Sequence, residues 1–320
     1  MTSTDTGTPE LVLGTMTFGD TADEATAAAI LDAALDAGVR HIDTANAYAG
    51  GATETILSRL LGGRRDDVVL ASKAGMPHDD AGDDPLLSPA ALRRSVEGSL
   101  RRLGTDRLDL FYLHQPDYAT PLEDTLGAVA DLAAEGKILS LGVSNFAAWQ
   151  IGDVERAAEA AGAPKPVVAQ QLYNLVARRI EDEYLPFASA HGTRTMVYNP
   201  LGGGLLTGRH AFDRQPDSGR FGDSRLAEMY TRRYWDEQLF AAIGALTRIA
   251  GEAGLTLIEL SLRWLAYRPG VDSFLLGGSR PAQLTDNVST LSRGPLPEDV
   301  VAACDAVGAD LRGPMPNYNR

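Results

Sequence analysis

Leu108–His114 reads Leu-Asp-Leu-Phe-Tyr-Leu-His, Val68–Lys73 reads Val-Val-Leu-Ala-Ser-Lys, and Ile138–Ser144 reads Ile-Leu-Ser-Leu-Gly-Val-Ser. Each is a short apolar run without strict polar alternation, the pattern of a strand buried on both faces. Each also ends in a residue capable of chemistry. Five further runs share the pattern: Leu11–Met16, Arg40–Thr44, Val167–Tyr173, Arg194–Asn199 and Ser273–Gly277. Helical spacing of apolar residues separates them over Ala22–Ala37, Ser88–Leu103, Pro121–Ala134, Asn145–Ala161, Glu181–Ala190, Gln238–Ala253 and Thr256–Tyr267, and Pro281–Leu291 and Glu298–Ala309 close the chain. Ser88-Pro89 is an N-cap followed by proline at the first helical position, and Gly38 is a usual residue just past a helix end. Eight strand–helix alternations predict an α/β fold, a (β/α)8 TIM barrel. It forms a single domain over residues 11–320, behind a flexible tail at 1–10. The longest irregular stretch, Gly202–Tyr234, is expected to be a lid loop. Met76–Leu87, with four aspartates, is expected to be a second, mobile loop. Its Asp79–Asp84 run lacks the glycine and closing glutamate of a calcium loop.

Composition narrows the function. The chain has 320 residues, Lys+Arg 29 against Asp+Glu 43, and a formal charge of −14. An acidic chain lacks the basic face that binding nucleic acid or an anionic membrane requires. With 44% hydrophobic residues it can bury a full core, which excludes a disordered protein. The one cysteine, Cys304, excludes an internal disulfide framework and a cysteine-rich zinc site, and reads as a small buried hydrophobe. The polar start has no signal-peptide core, so a cytoplasmic protein is expected.

Barrel enzymes carry their chemistry at the C-terminal ends of the strands. Asp43 ends the second run, with Tyr48 just beyond it; Lys73 ends the third and His114 the fourth. A phenol is a poor acid near neutrality. A neighbouring ammonium stabilises its phenolate, and a carboxylate keeps that ammonium charged and in place. A histidine can orient a carbonyl and stabilise charge growing on its oxygen. Taken singly, each residue has a plain structural reading: a helix cap, a packing tyrosine, a structural ion pair. All four at strand ends point to one acid–base machine. Lysine occurs only at 73, 137 and 165, so a lysine kept at a buried position favours a role that uses its tunable pKa. His, Asp and Glu show no zinc-ligand spacing, so no metal is expected.

The stretch His41–Tyr48, with its Ile-Asp-Thr-Ala core, resembles a signature of the aldo-keto reductases. Ala71-Ser72-Lys73, Tyr112–Asp117 and Gly136–Phe146 match further blocks, and the resemblance runs from about Leu11 to Arg320 in one register. Gln170–Asn174, Tyr198–Gly208, Arg233-Tyr234-Trp235 and the ending Pro316–Arg320 resemble the aflatoxin-aldehyde and succinic-semialdehyde reductase branch. The resemblance implies reduction of aldehydes and ketones with NADPH. Tyr48 would donate the proton, Lys73 and Asp43 would tune it, His114 would orient the carbonyl, and the hydride would come from nicotinamide C4.

No Gly-x-Gly-x-x-Gly follows the first strand, so the Rossmann way of holding a dinucleotide is absent. The resemblance instead implies Ser144, Asn145 and Gln170 on the nicotinamide carboxamide and Tyr198 stacked on its ring. It places Asn199, Leu201 and Gly203 along the pyrophosphate path and Arg220 as a lid contact. It puts Gly277, Ser279, Arg280, Gln283 and Asn287 at the adenosine and its 2′-phosphate. A helix N-terminus favours anions, although Ser279-Arg280-Pro281 alone reads equally as a helix cap. Phe18 and Met76 are candidate walls of the substrate mouth. Arg233 and the terminal Arg320 could pair a substrate carboxylate. A homodimer is expected by resemblance only. Two other readings stay open: a nucleotide-binding regulatory barrel like potassium-channel β subunits, with little turnover, and a non-redox barrel enzyme.

Overall fold

A computed structural model describes residues 9–313. Eight parallel strands form one closed barrel in chain order: β1 (Glu10–Gly14), β2 (His41–Asp43), β3 (Val69–Ala74), β4 (Leu110–Leu113), β5 (Leu141–Ser144), β6 (Pro166–Leu172), β7 (Arg194–Tyr198) and β8 (Ser273–Leu276). Every predicted run overlaps its strand, with β1 and β6 each beginning one residue earlier than read. β1 pairs with β8, which closes the ring and leaves no free edge.

The helices wrap the barrel: α1 (Glu24–Asp36), α2 (Ala52–Leu61), α3 (Pro89–Leu103), α4 (Leu122–Ala134), α5 (Ala148–Ala161), α6 (Tyr184–His191), α7 (Ala227–Tyr234), α8 (Glu237–Glu252), α9 (Leu257–Ala266), α10 (Pro281–Leu291) and α11 (Glu298–Arg312). The Ser88 hydroxyl caps α3 by accepting from the Ala91 N–H, with Pro89 following as predicted. Among the described residues, no single helix is long and apolar enough to cross a membrane.

Two elements depart from the sequence reading. α2 is a ten-residue helix between Tyr48 and β3, where no helix was expected. Gly202–Tyr234 is not wholly irregular: it holds two 3₁₀ turns and ends in α7. Length is not the reason, since α6 and α9 are as short and carry readable spacing: α2 follows directly on Gly50-Gly51 and α7 lies within a glycine-rich stretch, and such breakers mask the helical pattern. The Met76–Leu87 loop also differs from the expected mobile segment. Arg102 pairs with Asp80 at 2.7 Å and Arg94 with Asp84 at 2.7 Å, so arginines of α3 tie it down.

Apolar side chains divide between two cores. The larger lies between strands and helices and contains Leu13, Ile30, Phe111, Leu113 and Leu260, with Cys304 buried in it. Burial pushes the Cys304 thiol up to about 11, which keeps it an inert thiol near neutrality. The smaller core fills the barrel itself with Val12, Ala71, Leu110, Tyr112, Val168, Met196 and Leu275. Gly142 makes room for the largest of these. A Cβ there would stand 2.5 Å from Tyr112 Cε1 and 3.2 Å from the Val168 carbonyl oxygen.

Candidate active site

Side chains alternate along a strand, so residues 110, 112 and 114 of β4 and its extension point to one side, and so do 71 and 73 of β3. Leu110, Tyr112 and Ala71 fill the barrel interior, which sends Lys73 and His114 to its C-terminal mouth. Asp43 and Lys73 are both fully buried. The Lys73 ammonium donates to Asp43 Oδ1, to the Thr44 carbonyl at 2.9 Å and to the Tyr48 hydroxyl at 3.3 Å. Tyr48 opens a 3₁₀ turn whose next three residues take positive φ, Ala49 (47°), Gly50 (62°) and Gly51 (86°). This tight reversal holds the phenol over the lysine, whose Nζ lies 5.0 Å from the Tyr48 ring centre. Tyr48 and His114 meet edge to face, with ring centres 6.0 Å apart. All four expected residues therefore come together.

The electrostatics divide their roles. Burial raises the Tyr48 pKa, Lys73 pulls it down and Asp43 raises it again; the net shift is upward. The phenol is thus held protonated, rather than lowered as the neighbouring lysine alone would have it. Lys73 is also shifted upward: burial opposes its charge, but Asp43 and Tyr48 together outweigh burial. Burial and the Lys73 charge hold His114 well below the usual imidazole range, so the ring is neutral. His114 Nδ1 is buried without a hydrogen-bond partner among the described residues.

Beside this group, the Asn145 amide donates to the His114 carbonyl (2.9 Å) and to Ser144 Oγ (3.1 Å), and its oxygen accepts from the Tyr198 hydroxyl (2.7 Å). Asn145 stands at φ 63°, which turns its exposed side chain into the mouth. Gln170 Nε2 donates to Asp43 Oδ2 at 2.9 Å and contacts Met196 Sδ at 3.3 Å, so only its carbonyl oxygen is left for a ligand. Arg233 is exposed, and its hydrogen bond and charge lower the Tyr198 phenol, which burial raises on balance. That places its guanidinium at the mouth.

Other expected residues sit elsewhere. Phe18 is fully buried in the core between strands and helices, where it cannot wall a substrate mouth. The Asn199 side chain holds its own loop: Oδ1 accepts from the Gly203 N–H at 3.1 Å and Nδ2 donates to the Tyr234 hydroxyl at 3.3 Å. Gly203 (φ 70°) packs against Tyr230, where a Cβ would stand 2.5 Å from that ring, so a side chain is excluded there. Gln283 Oε1 accepts from the Ser279 N–H at 3.0 Å and lies 3.4 Å from its hydroxyl, which occupies an atom expected to face adenosine. All three positions are engaged within the protein itself. Leu201 and Met76 are half-buried, Asn287 is buried, and Gly277 and Arg280 are exposed at the start of α10. Arg320 lies outside the described residues.

Several contributors escaped sequence reading. Tyr112 and Met196 lie beneath the site, with the Tyr112 hydroxyl 3.5 Å from Met196 Sδ; the strand alternation through His114 was the available signal for Tyr112. The long loop is latched across the mouth to the β1–α1 connection. Ser224 Oγ donates to Asp20 Oδ2 at 2.7 Å and the Arg225 N–H to Oδ1 at 3.2 Å. No local pattern announces a contact spanning some 200 residues.

The residues fit a dinucleotide. Arg220 stacks over Tyr230 at 5.3 Å and keeps one buried guanidinium nitrogen, NH1, without a hydrogen-bond partner among the described residues, which suits a phosphate. The α10 N-terminus has no side-chain cap; Pro281 has no N–H and the Gln283 N–H bonds the Arg280 carbonyl at 3.2 Å, which leaves the Ala282 N–H and the helix dipole for an anion. Ser144, Asn145, Gln170 and Tyr198 surround the place suited to a flat ring bearing an amide.

A sequence profile of the aldo/keto reductase family matches residues 10–309. The chain belongs to that family. It is therefore an oxidoreductase, of a family whose members generally use nicotinamide cofactors. It is 38% identical to human aldo-keto reductase family 7 member A3, over 98% of this chain and 97% of that protein. It is 37% identical to rat aflatoxin B1 aldehyde reductase member 2, over 98% and 88%. It is 35% identical to a probable voltage-gated potassium channel subunit beta of Oryza sativa subsp. japonica, over 91% and 90%.

Proposed function

We propose that this aldo/keto reductase reduces aldehydes and ketones to alcohols with NADPH, acting on short substrates that carry a carboxylate or a second carbonyl. The observation that carries the reading is the chain from Tyr48 through Lys73 to Asp43, placed beside a neutral His114. NADPH, when bound, would supply the hydride for the carbonyl carbon from nicotinamide C4. The Tyr48 phenol, kept protonated by burial, gives its proton to the carbonyl oxygen. Lys73 then balances the phenolate, and Asp43 keeps Lys73 charged and fixed. Neutral His114 donates to the carbonyl oxygen and orients it, which a ring without charge does without competing for the proton.

Ser144, Asn145, the Gln170 carbonyl and Tyr198 would hold the nicotinamide end. Arg220, with Leu201 beside the path, would meet the phosphates. The α10 N-terminus with Gly277, Ser279, Arg280 and Asn287 would take the adenosine and its 2′-phosphate. Arg233, joined by Arg320, would pair the substrate carboxylate, with Met76 on the wall. A cytoplasmic homodimer that binds neither nucleic acid nor membrane is in keeping with the −14 charge and the expectation from resemblance.

The test is NADPH consumption at 340 nm with succinic semialdehyde, 2-nitrobenzaldehyde and phenanthrenequinone, wild type beside Tyr48→Phe. Turnover lost in the variant supports the proton donor. The resemblance to channel β subunits offers the second reading. Tight NADPH binding without turnover in the wild type would favour it, and absence of NADPH binding would overturn both.

A further inference from the structure

The Asp43 carboxylate has two oxygens and two protein partners. Lys73 takes Oδ1; Oδ2 accepts from Gln170 Nε2 at 2.9 Å, a contact between residues 127 positions apart in sequence. Asp43 is fully buried and Gln170 is 3% exposed, so no solvent competes for either. The orientation of the amide is chemically forced. An ionised carboxylate accepts only, so the nitrogen of Gln170 must face it. The same nitrogen lies 3.3 Å from Met196 Sδ, and the Tyr112 hydroxyl meets that sulfur from the other side at 3.5 Å. A continuous chain therefore crosses the barrel: Tyr48, Lys73, Asp43, Gln170, Met196, Tyr112.

We propose that Gln170 is a positioning residue for the proton-donating machinery: its amide nitrogen fixes the Asp43 carboxylate against Lys73, while its carbonyl oxygen alone is offered to the ligand. The inference rests on the reductase reading above. It assigns Gln170 a duty that a carboxamide contact would not need. It also assigns the ligand at that spot a donor group, as an amide NH2 is, because the oxygen of Gln170 can only accept. Ligand seating and proton delivery then share one side chain.

The charged and titratable groups around the pair are few. Lys73 comes from β3 and Tyr112 from β4. Tyr48 and His114 come from the loops above them, and Tyr230 from α7 is felt at Tyr48. Glu10 and Arg194 lie lower in the barrel and are felt at Tyr112.

Two variants test the assignment. Gln170→Met keeps length and loses both donors. Gln170→Glu keeps shape but sets a second carboxyl against Asp43, and two facing carboxyls share one proton. At saturating NADPH, single-turnover reduction by Gln170→Met is expected to slow at least tenfold. The rate–pH profile of Gln170→Glu is expected to gain an ionisation that wild type lacks. The protein without cofactor gives an independent readout. Asp43→Asn removes the charge that Gln170 grips and lets the amide turn its oxygen to the new NH2, so adding Gln170→Met there should cost less than it does in wild type. The unfolding constants from urea titration should depart from additivity by tenfold or more. Superimposable pH profiles together with additive unfolding effects would overturn the assignment and leave Gln170 a ligand contact alone. If wild type itself fails to turn over, the reductase reading falls, while the cofactor-free cycle still decides whether Gln170 holds Asp43.

Discussion

Lys73→Met is the most informative single change, because the structure fixes its cost. The side chain is fully buried and satisfies three acceptors: Asp43 Oδ1, the Thr44 carbonyl and the Tyr48 hydroxyl. Methionine matches its length and fills the same space, so a cavity contributes little. What remains is a buried carboxylate whose only other side-chain partner among the described residues is Gln170. Removing one partner of a buried ion pair costs about 3–5 kcal/mol. At roughly 2–4 °C per kcal/mol, the midpoint falls by roughly 6–20 °C. Thermal and urea unfolding followed by circular dichroism read this directly. Adding Asp43→Asn removes the orphaned charge, so the double variant should recover at least half of the loss. Carbonyl reduction should be lost in both proteins, because neither retains a cation at the phenol. A Lys73→Met protein within 1 kcal/mol of wild type, or a double variant less stable than the single, would refute the reasoning. Either result would mean that the pair is not the buried, mutually dependent unit described above.

Four further outcomes are expected. Gly142→Ala forces a methyl to 2.5 Å from the fully buried Tyr112 ring, so overpacking should cost about 1–3 kcal/mol in urea unfolding, with Tyr112→Leu relieving it in the double variant. Tyr48 donates only while protonated and its pKa is raised above 10.0, whereas His114 is neutral down to well below 6.5. The single-turnover reduction rate should therefore stay flat between those values, fall only as pH rises through the raised Tyr48 pKa, and show no acid limb near 6.5. Phe18→Ala should cost about 3–5 kcal/mol of stability with KM unchanged, as a core deletion does. Arg233→Ala should leave stability alone and raise KM for carboxylated aldehydes, roughly tenfold, without affecting neutral ones.

The eight strands were legible because a parallel barrel buries both faces of each strand, which writes continuous apolar runs into the sequence. Asp43, Lys73 and His114 were legible because strand ends in a barrel face one mouth, so position along the chain is also position in space. Tyr48 was legible for the same reason and through its motif. α2 and α7 were not, because α2 begins straight after Gly50-Gly51 and α7 sits in a glycine-rich stretch, where breaker residues mask the helical spacing that made the equally short α6 and α9 readable. Phe18 was misplaced because a phenylalanine in a loop after a strand reads the same whether it faces the mouth or the core. The internal hydrogen bonds of Asn199 and Gln283 were not legible, because a motif records residue types and not where their hydrogen bonds go.

By itself, then, the sequence determined which strands form, in what order, and which reactive groups their ends carry, since these depend on local periodicity and on the fixed geometry of a parallel barrel. The tertiary structure decided the rest: the net upward shift of the Tyr48 phenol, the neutrality of His114, the latch from Ser224 to Asp20, and the grip of Gln170 on Asp43. Each depends on burial or on distances between groups far apart in the chain, and desolvation acts only once the packed interior has removed the water.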